Sequence, residues 1–336
     1  KQIVGVECKD ATTSRFFQLR ARREVILCAG AFESPALLLS SGIGLAEELA
    51  AMDIEPTAGG SPLPVGHNLK DHILLPRVVI TNQFVASRSA SMVSALKYTE
   101  CNGSRFSFML TDATAFNSLT PYFMARDLRL HTTGPFSKIL NFLSEMAFRF
   151  AYCIVTLLVR TPLLDFLRYG AVSVPLALLN PKSTGQVMLR RKSKPSNTNI
   201  ARRSDFELDI DLGYLSDPRD MESMQAGFDV MTEQCSDWLA GKEVLPGLRY
   251  PKKPGWFRKY CLEQFEPYFH FCGTCAMGEE DAGVVDSSLR LRSYKGVRVC
   301  DASVLPTTLS NPTALSCAAL GLQFSDLLRK ELGPQD

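Results

Sequence analysis

Glu24-Val25-Ile26-Leu27-Cys28-Ala29-Gly30-Ala31-Phe32-Glu33-Ser34-Pro35-Ala36-Leu37-Leu38-Leu39-Ser40-Ser41-Gly42-Ile43-Gly44 sets the fold class. The first part is an apolar run ending on Gly30, the pattern of a buried strand. The second part reads as a helix. Ser34 is placed as its N-cap, Pro35 suits the first helical position, and Leu37, Leu38 and Leu39 supply an apolar face. Ser41-Gly42-Ile43-Gly44 ends it. A strand that turns on glycine into a helix is the unit of an α/β domain.

Upstream, Ile3 to Cys8 and Phe16 to Arg20 flank a polar turn and read as paired strands. The chain starts with Lys1 inside strand-like sequence, without an initiator Met, and reads as a piece of a longer protein. Downstream, residues 58–76 form a loop punctuated by Gly and Pro, and beyond it the pattern changes. Val78-Val79-Ile80, Phe106 to Leu110, Gln186 to Leu189 and Glu207 to Leu212 read as strands of a second region. Asp217-Pro218 opens a helix directed toward Trp238. From His270 onward, Gly-rich turns, short buried strands and a final helix return. There is no internal repeat.

Composition narrows the function. With 336 residues, 46% of them hydrophobic and 21% charged, the chain can bury a sizeable core in one or two domains. Its net charge of +2 gives no electrostatic footprint for nucleic acid. No uncharged apolar stretch approaches the ~20 residues of a membrane span. Ile139 to Leu167 is unusually apolar, with Phe142, Met146, Phe150, Ile154 and Leu157 at helical spacing. It reads as a core helix or the wall of a substrate pocket. The alternative is a helix in a membrane interface, a peripheral contact through residues 139–167. The ten cysteines are too sparse for a disulfide scaffold.

Several motifs invite chemistry. Gly42-Ile43-Gly44 follows a helix and has Glu47 where a dinucleotide fingerprint needs its third glycine, so it is a helix terminator. Cys272-Gly273-Thr274-Cys275 lacks a second ligand pair or a thioredoxin-like setting, and no metal is assigned to it. Of the four histidines, His131 suits an exposed loop, and His67 and His72 lie in the Gly/Pro loop. His270 sits in Pro267-Tyr268-Phe269-His270-Phe271, where apolar surroundings keep an imidazole neutral and able to take a proton.

Four stretches in order carry a resemblance: the segment from Gly30 to Gly44, Leu63-Pro64-Val65-Gly66-His67-Asn68-Leu69-Lys70-Asp71-His72, Tyr214-Leu215-Ser216-Asp217-Pro218 with Asp220, and the C-terminal stretch. The last runs from His270 to Gly278, through Val284-Val285-Asp286, Val297-Arg298-Val299, Asp301-Ala302-Ser303 and Pro306, to Asn311-Pro312. Together they resemble the glucose–methanol–choline (GMC) flavoprotein oxidoreductases.

That resemblance implies an α/β fold, α+β overall, in which residues 1–75 and 266–336 are parts of an FAD-binding domain. Residues 76–265 would be a substrate-binding domain on an antiparallel sheet. The family's phosphate-binding βαβ unit is not among these residues. The implied cofactor is FAD and the implied substrate a small-molecule alcohol, with the electron acceptor left open. By motif position, His270 takes the hydroxyl proton while a hydride goes to the flavin. Asn311 falls on its partner position and can orient a substrate oxygen but not act as a base. Ala29 and Gly30 would end a strand at the cofactor crevice, Asp301 and Ala302 would lie beside the ribityl and phosphate region, and Pro312 and Thr313 would approach the isoalloxazine ring. The implied activity is oxidation of a primary alcohol, closest to the choline dehydrogenase branch. A fatty-acyl flavoenzyme, and a truncated chain unable to hold FAD, are the alternatives.

Overall fold

The computed structural model describes residues 1–57, 60–80, 93–111, 143–144, 146–147, 149–150, 171–192, 202–236, 242–247, 250–279 and 282–332. It divides into two compact units. The first comprises Lys1–Ile73, Leu179–Asp220 and Pro267–Asp336, and the second Leu74–Leu178 and Met221–Glu266.

In the first unit, β1 (Gly5–Lys9) and β2 (Phe16–Arg20) pair antiparallel, as the sequence pattern predicts. β3 (Val25–Leu27) leads into α1 (Gly30–Ser40). The helix thus begins four residues before the expected Ser34. Ser34 is buried inside it; its hydroxyl accepts the Ala29 N–H at 3.0 Å and donates to Asp301 at 2.6 Å. A helical Pro35 has no N–H for the carbonyl of Ala31. That carbonyl instead accepts the Thr274 hydroxyl at 2.6 Å, so the chain enters the helix early at no loss of hydrogen bonding. β3 is also less buried than its composition implies. Among the described strands it pairs only with β14 (Val297–Val299), in parallel register, and Ile26 stays exposed.

The core of this unit gathers Ala36, Leu38 and Leu39 of α1 with Leu49 of α2 (Ala46–Ala51) and Val297 and Val299 of β14. Phe324 of α5 (Thr313–Leu332) joins them. Leu39 is fully buried, which is worth about 1.5–3 kcal/mol relative to exposure. Arg298, in β14, is buried among them. It donates twice to Glu24, at 2.6 and 3.0 Å, once to the Ser288 carbonyl at 2.9 Å, and to Glu331 in the last turn of α5. These bonds tie the start of β3 and the end of α5 to β14, and hold the guanidinium firmly protonated.

The strands β10 (Gln186–Arg191) and β11 (Phe206–Asp211) form an antiparallel hairpin that packs with the first unit, contrary to their placement in the middle region. Leu189 and Phe206 are buried in the same core as α1, which explains the assignment.

The second unit is built on an antiparallel sheet. It includes β4 (Ile73–Leu75), β5 (Val78–Ile80), β6 (Val93–Cys101), β7 (Ser104–Thr111), β8 (Ala171–Ser173) and β9 (Leu176–Leu178). β12 (Lys242–Leu245) and β13 (Glu266–Pro267) complete the order β12–β5–β8–β7–β9–β4–β13, with β6 on β7. α3 (Pro218–Gln234) starts at Pro218 as predicted, with the Asp217 carboxylate accepting the Arg219 N–H at 2.9 Å. Phe106 of β7 lies against Gly227 of this helix, where a Cβ would come within 2.5 Å of its ring. Arg77 donates to Glu243 and Thr232 and lies over the ring of Phe228. α4 (Trp256–Gln264) adds Tyr260, whose hydroxyl donates to the Pro76 carbonyl.

His131, Trp238 and most of 139–167 lie outside the described residues. Of the six described there, Leu143, Met146 and Phe150 are exposed. No described helix is long and apolar enough to cross a membrane.

Candidate active site

The carboxylate of Asp71 organises one end of the first unit. This side chain is buried, just before β4. Its Oδ1 accepts the backbone N–H groups of His72 at 2.8 Å and His270 at 2.6 Å. Its Oδ2 accepts the Tyr214 hydroxyl at 2.6 Å and the N–H groups of Tyr268 and Phe269 at 3.0 and 3.1 Å. Three consecutive amides, 268 to 270, therefore converge on one carboxylate. That convergence supports a left-handed Phe269, with φ of +61° and an exposed ring. A bulky residue reaches this conformation only when its surroundings impose it.

His270 follows directly, half-buried. Its ring lies 4.4 Å, centroid to centroid, from Tyr268 and edge-on to His72. The Nδ1 atoms of His72 and His270 are 2.8 Å apart, and His72 Nε2 is 2.7 Å from the Leu309 carbonyl oxygen. Burial lowers the pKa of His270, against a smaller opposing pull from Asp71. Burial also lowers His72, to about 4, helped by the neighbouring charge of His270 and opposed by the carbonyls of Leu309 and Leu179 and by Asp71. Both rings are neutral near pH 7.

The loop before α5 is pinned at three successive points. Asn68 donates to the Pro306 carbonyl at 3.1 Å, Thr308 donates to the Leu179 carbonyl at 2.9 Å, and the Leu309 carbonyl meets His72. Asn311 and Pro312 follow as exposed residues, and Thr313 opens α5. The loop carrying Asn311 is thus tied to the histidine pair two residues earlier. Gly273, next to this end of the chain, has φ of +94° and approaches Asn68 so closely that a Cβ would lie 2.3 Å from its carbonyl oxygen.

The remaining predicted residues gather at the carboxyl ends of β3 and β14, where ligands of open α/β sheets bind. Asp301 Oδ2 accepts the Gly30 N–H at 2.9 Å and the Ser34 hydroxyl, while Oδ1 accepts Ser303 N–H at 2.8 Å. Its carboxylate therefore fastens the start of α1 to the end of β14. Cys28 and Ala29 are exposed, and a Cβ on Gly30, with φ of +83°, would meet nothing within 4 Å. Small, open backbone at paired strand ends, beside the start of α1, fits the rim of a bound dinucleotide.

Asp71 and His72 are candidate site residues to which the sequence assigns no role. The signal was present as an adjacent Asp-His at the end of a Gly/Pro loop, but their partners lie 198 and 199 positions away. His67 instead pairs with Glu48 at 2.8 Å. Cys272 and Cys275 are both buried. Burial pushes the Cys272 thiol up to about 12 and the Cys275 thiol up as well, which suppresses the reactive thiolate.

A model described as GMC oxidoreductase, its N-terminal part, matches residues 1–74, and the corresponding C-terminal part matches residues 181–321. An uncharacterised GMC-type oxidoreductase of Mycobacterium bovis is 30% identical over 341 residues, covering 97% of this chain and 56% of its own length. An oxygen-dependent choline dehydrogenase of Escherichia coli is 26% identical over 343 residues, covering 100% of this chain and 56% of its own. The crystal structure of pyridoxine 4-oxidase from Mesorbium loti superimposes with a TM-score of 0.68 at 23% identity, covering 99% of this chain and 56% of that one. The chain spans a little over half the length of these relatives.

Proposed function

The chain belongs to the GMC oxidoreductases, a family of FAD-dependent enzymes, and on that premise we propose that it carries the proton-accepting site of a primary-alcohol oxidation, with His270 as the base. The observation that carries this reading is the setting of His270. Its backbone is fixed by Asp71, one ring nitrogen is engaged by His72, and Nε2 has no hydrogen-bond partner among the described residues. A neutral imidazole with a free lone pair is suited to take a hydroxyl proton.

The roles then divide as follows. FAD, when bound, supplies the acceptor for the hydride leaving the alcohol carbon. His270 accepts the hydroxyl proton. Asn311, on the loop pinned through Leu309, orients the substrate oxygen by hydrogen bonding. Ala29, Gly30, Asp301 and Ala302, at the ends of β3 and β14, would hold the cofactor, with Pro312 and Thr313 at the start of α5 as further candidates for contact with it. The rings of Tyr268, Phe269 and Phe271 flank His270 in sequence, Tyr268 lying 4.4 Å from the His270 ring and Phe269 6.1 Å from Phe271, and would offer apolar and π faces to the substrate.

Those π faces, with the choline dehydrogenase relative, support a choline-like alcohol, whose quaternary ammonium is attracted to aromatic rings. The test is anaerobic flavin reduction in the FAD-loaded protein, comparing choline with its uncharged isostere 3,3-dimethyl-1-butanol and with long-chain primary alcohols. Preferential reduction by choline supports the reading. Preference for the long-chain alcohols would move the substrate to the fatty-acyl class.

A further inference from the structure

We propose that His72 is a positioning residue that fixes His270 in the tautomer with its proton on Nδ1, leaving the Nε2 lone pair free for the substrate. This deepens the reading of His270 as base and rests on it.

Leu309 fixes the first proton of the pair. A carbonyl oxygen can only accept, so the 2.7 Å contact requires His72 Nε2 to carry a hydrogen. A neutral imidazole has one N–H, so His72 Nδ1 must then be the acceptor. Its partner at 2.8 Å, His270 Nδ1, must be the donor. The opposite arrangement would set a bare His72 Nε2 against the Leu309 carbonyl, two acceptors facing each other in a buried site. Protonating His72 on both nitrogens would put a charge on a residue that is 1% exposed; burial and His270 oppose that charge more than Asp71 and the Leu309 and Leu179 carbonyls favour it.

The direction of the chain is therefore His270 Nδ1–H to His72 Nδ1, and His72 Nε2–H to the Leu309 carbonyl. When His270 takes a proton on Nε2, its Nδ1–H bond to His72 becomes charge-assisted and strengthens. His72 so favours both the reactive tautomer and the imidazolium that follows. Because the same ring bonds Leu309, it also couples the base to the loop that carries Asn311.

The test is nitrogen NMR on the full chain labelled with ¹⁵N-histidine, at neutral pH, where four histidines give a resolvable set. His270 with its proton on Nδ1 and His72 with its proton on Nε2 is the expected result; the proton of His270 on Nε2 overturns the proposal. Two variants extend the test. His72→Asn keeps an acceptor for His270 and should retain the Nδ1–H form. His72→Leu removes the acceptor, and should shift His270 toward Nε2–H and slow alcohol-dependent flavin reduction by roughly 10²–10⁴-fold, between the lower share of a general base and the full loss a wrong tautomer causes. An unchanged His270 tautomer in His72→Leu overturns the proposal. The spectrum needs neither alcohol nor FAD, so it stands or falls separately from the oxidation itself.

Discussion

The carboxylate of Asp71 lies 2.6 Å from the backbone nitrogen of His270, across 199 positions of sequence. Around that contact, four further donors converge on the same side chain. The arrangement sets the backbone of the candidate base without using its ring. Replacing Asp71 with Asn substitutes an NH2 for an acceptor at one of the two oxygen positions, so at least two donors face a donor. The expected cost is about 3 kcal/mol or more, from hydrogen bonds to a charged group. Urea unfolding of Asp71→Asn checks it. An unchanged midpoint would mean that the turn at 268–270 is held by something else.

Two glycines share a left-handed backbone but differ in their surroundings. A Cβ at Gly273 would sit 2.3 Å from the Asn68 carbonyl, whereas one at Gly30 meets nothing within 4 Å. Gly30→Ala should therefore lose only the backbone preference, about 1–2 kcal/mol. Gly273→Ala should lose that and also force apart the Asn68 and Gly273 segments. Thermal unfolding of the two variants side by side should rank Gly273→Ala as clearly the less stable.

Arg298 and its carboxylates are unequal partners. The guanidinium side chain is 1% exposed, whereas those of Glu24 and Glu331 are 23% and 26% exposed. Removing Glu24 leaves a buried cation short of hydrogen bonds, with an expected cost of about 3 kcal/mol. Arg298→Met leaves two carboxylates that water can reach, and an apolar side chain among apolar neighbours. Chemical denaturation should show Glu24→Ala to be the more damaging of the two.

Acid should act through His72. Burial holds its ring neutral down to about 4, against an ordinary value of 6.5. Below pH 6.5 the unfolded chain takes up a proton that the native chain refuses. The contribution is complete above that pH and is lost as pH falls toward 4. His270 and Asp71 are the titratable groups beside it, and His270 is shifted in the same direction by burial. Between about pH 6.5 and 4.5 the native state should lose on the order of 2 kcal/mol through His72. The urea midpoint should fall over this range by more in the native sequence than in His72→Leu.

Much of the first unit was legible because its signals are local. An apolar run ending on Gly30, and alternation in residues 207–212, mark a strand-to-helix unit and a strand without reference to distant residues. The errors arose where a distant partner decides. Ser34 looks like a cap, yet its hydroxyl bonds Asp301, 267 positions away, and α1 begins earlier. β11 reads correctly as a strand, but only the burial of Phe206 among the α1 residues shows which unit it joins. The site follows the same rule. His270 stands out by its apolar neighbours, whereas Asp71 and His72 acquire their roles only when the fold brings the two segments together.

His270 is proposed here as the acceptor of the substrate proton. The direct measurement is the rate of anaerobic flavin reduction by a primary alcohol in the FAD-loaded protein, for the native sequence and for His270→Ala. Loss of the base should slow reduction by about 10²–10⁴-fold, the usual share of general-base catalysis. A rate for His270→Ala equal to that of the native sequence would rule out His270 as the base.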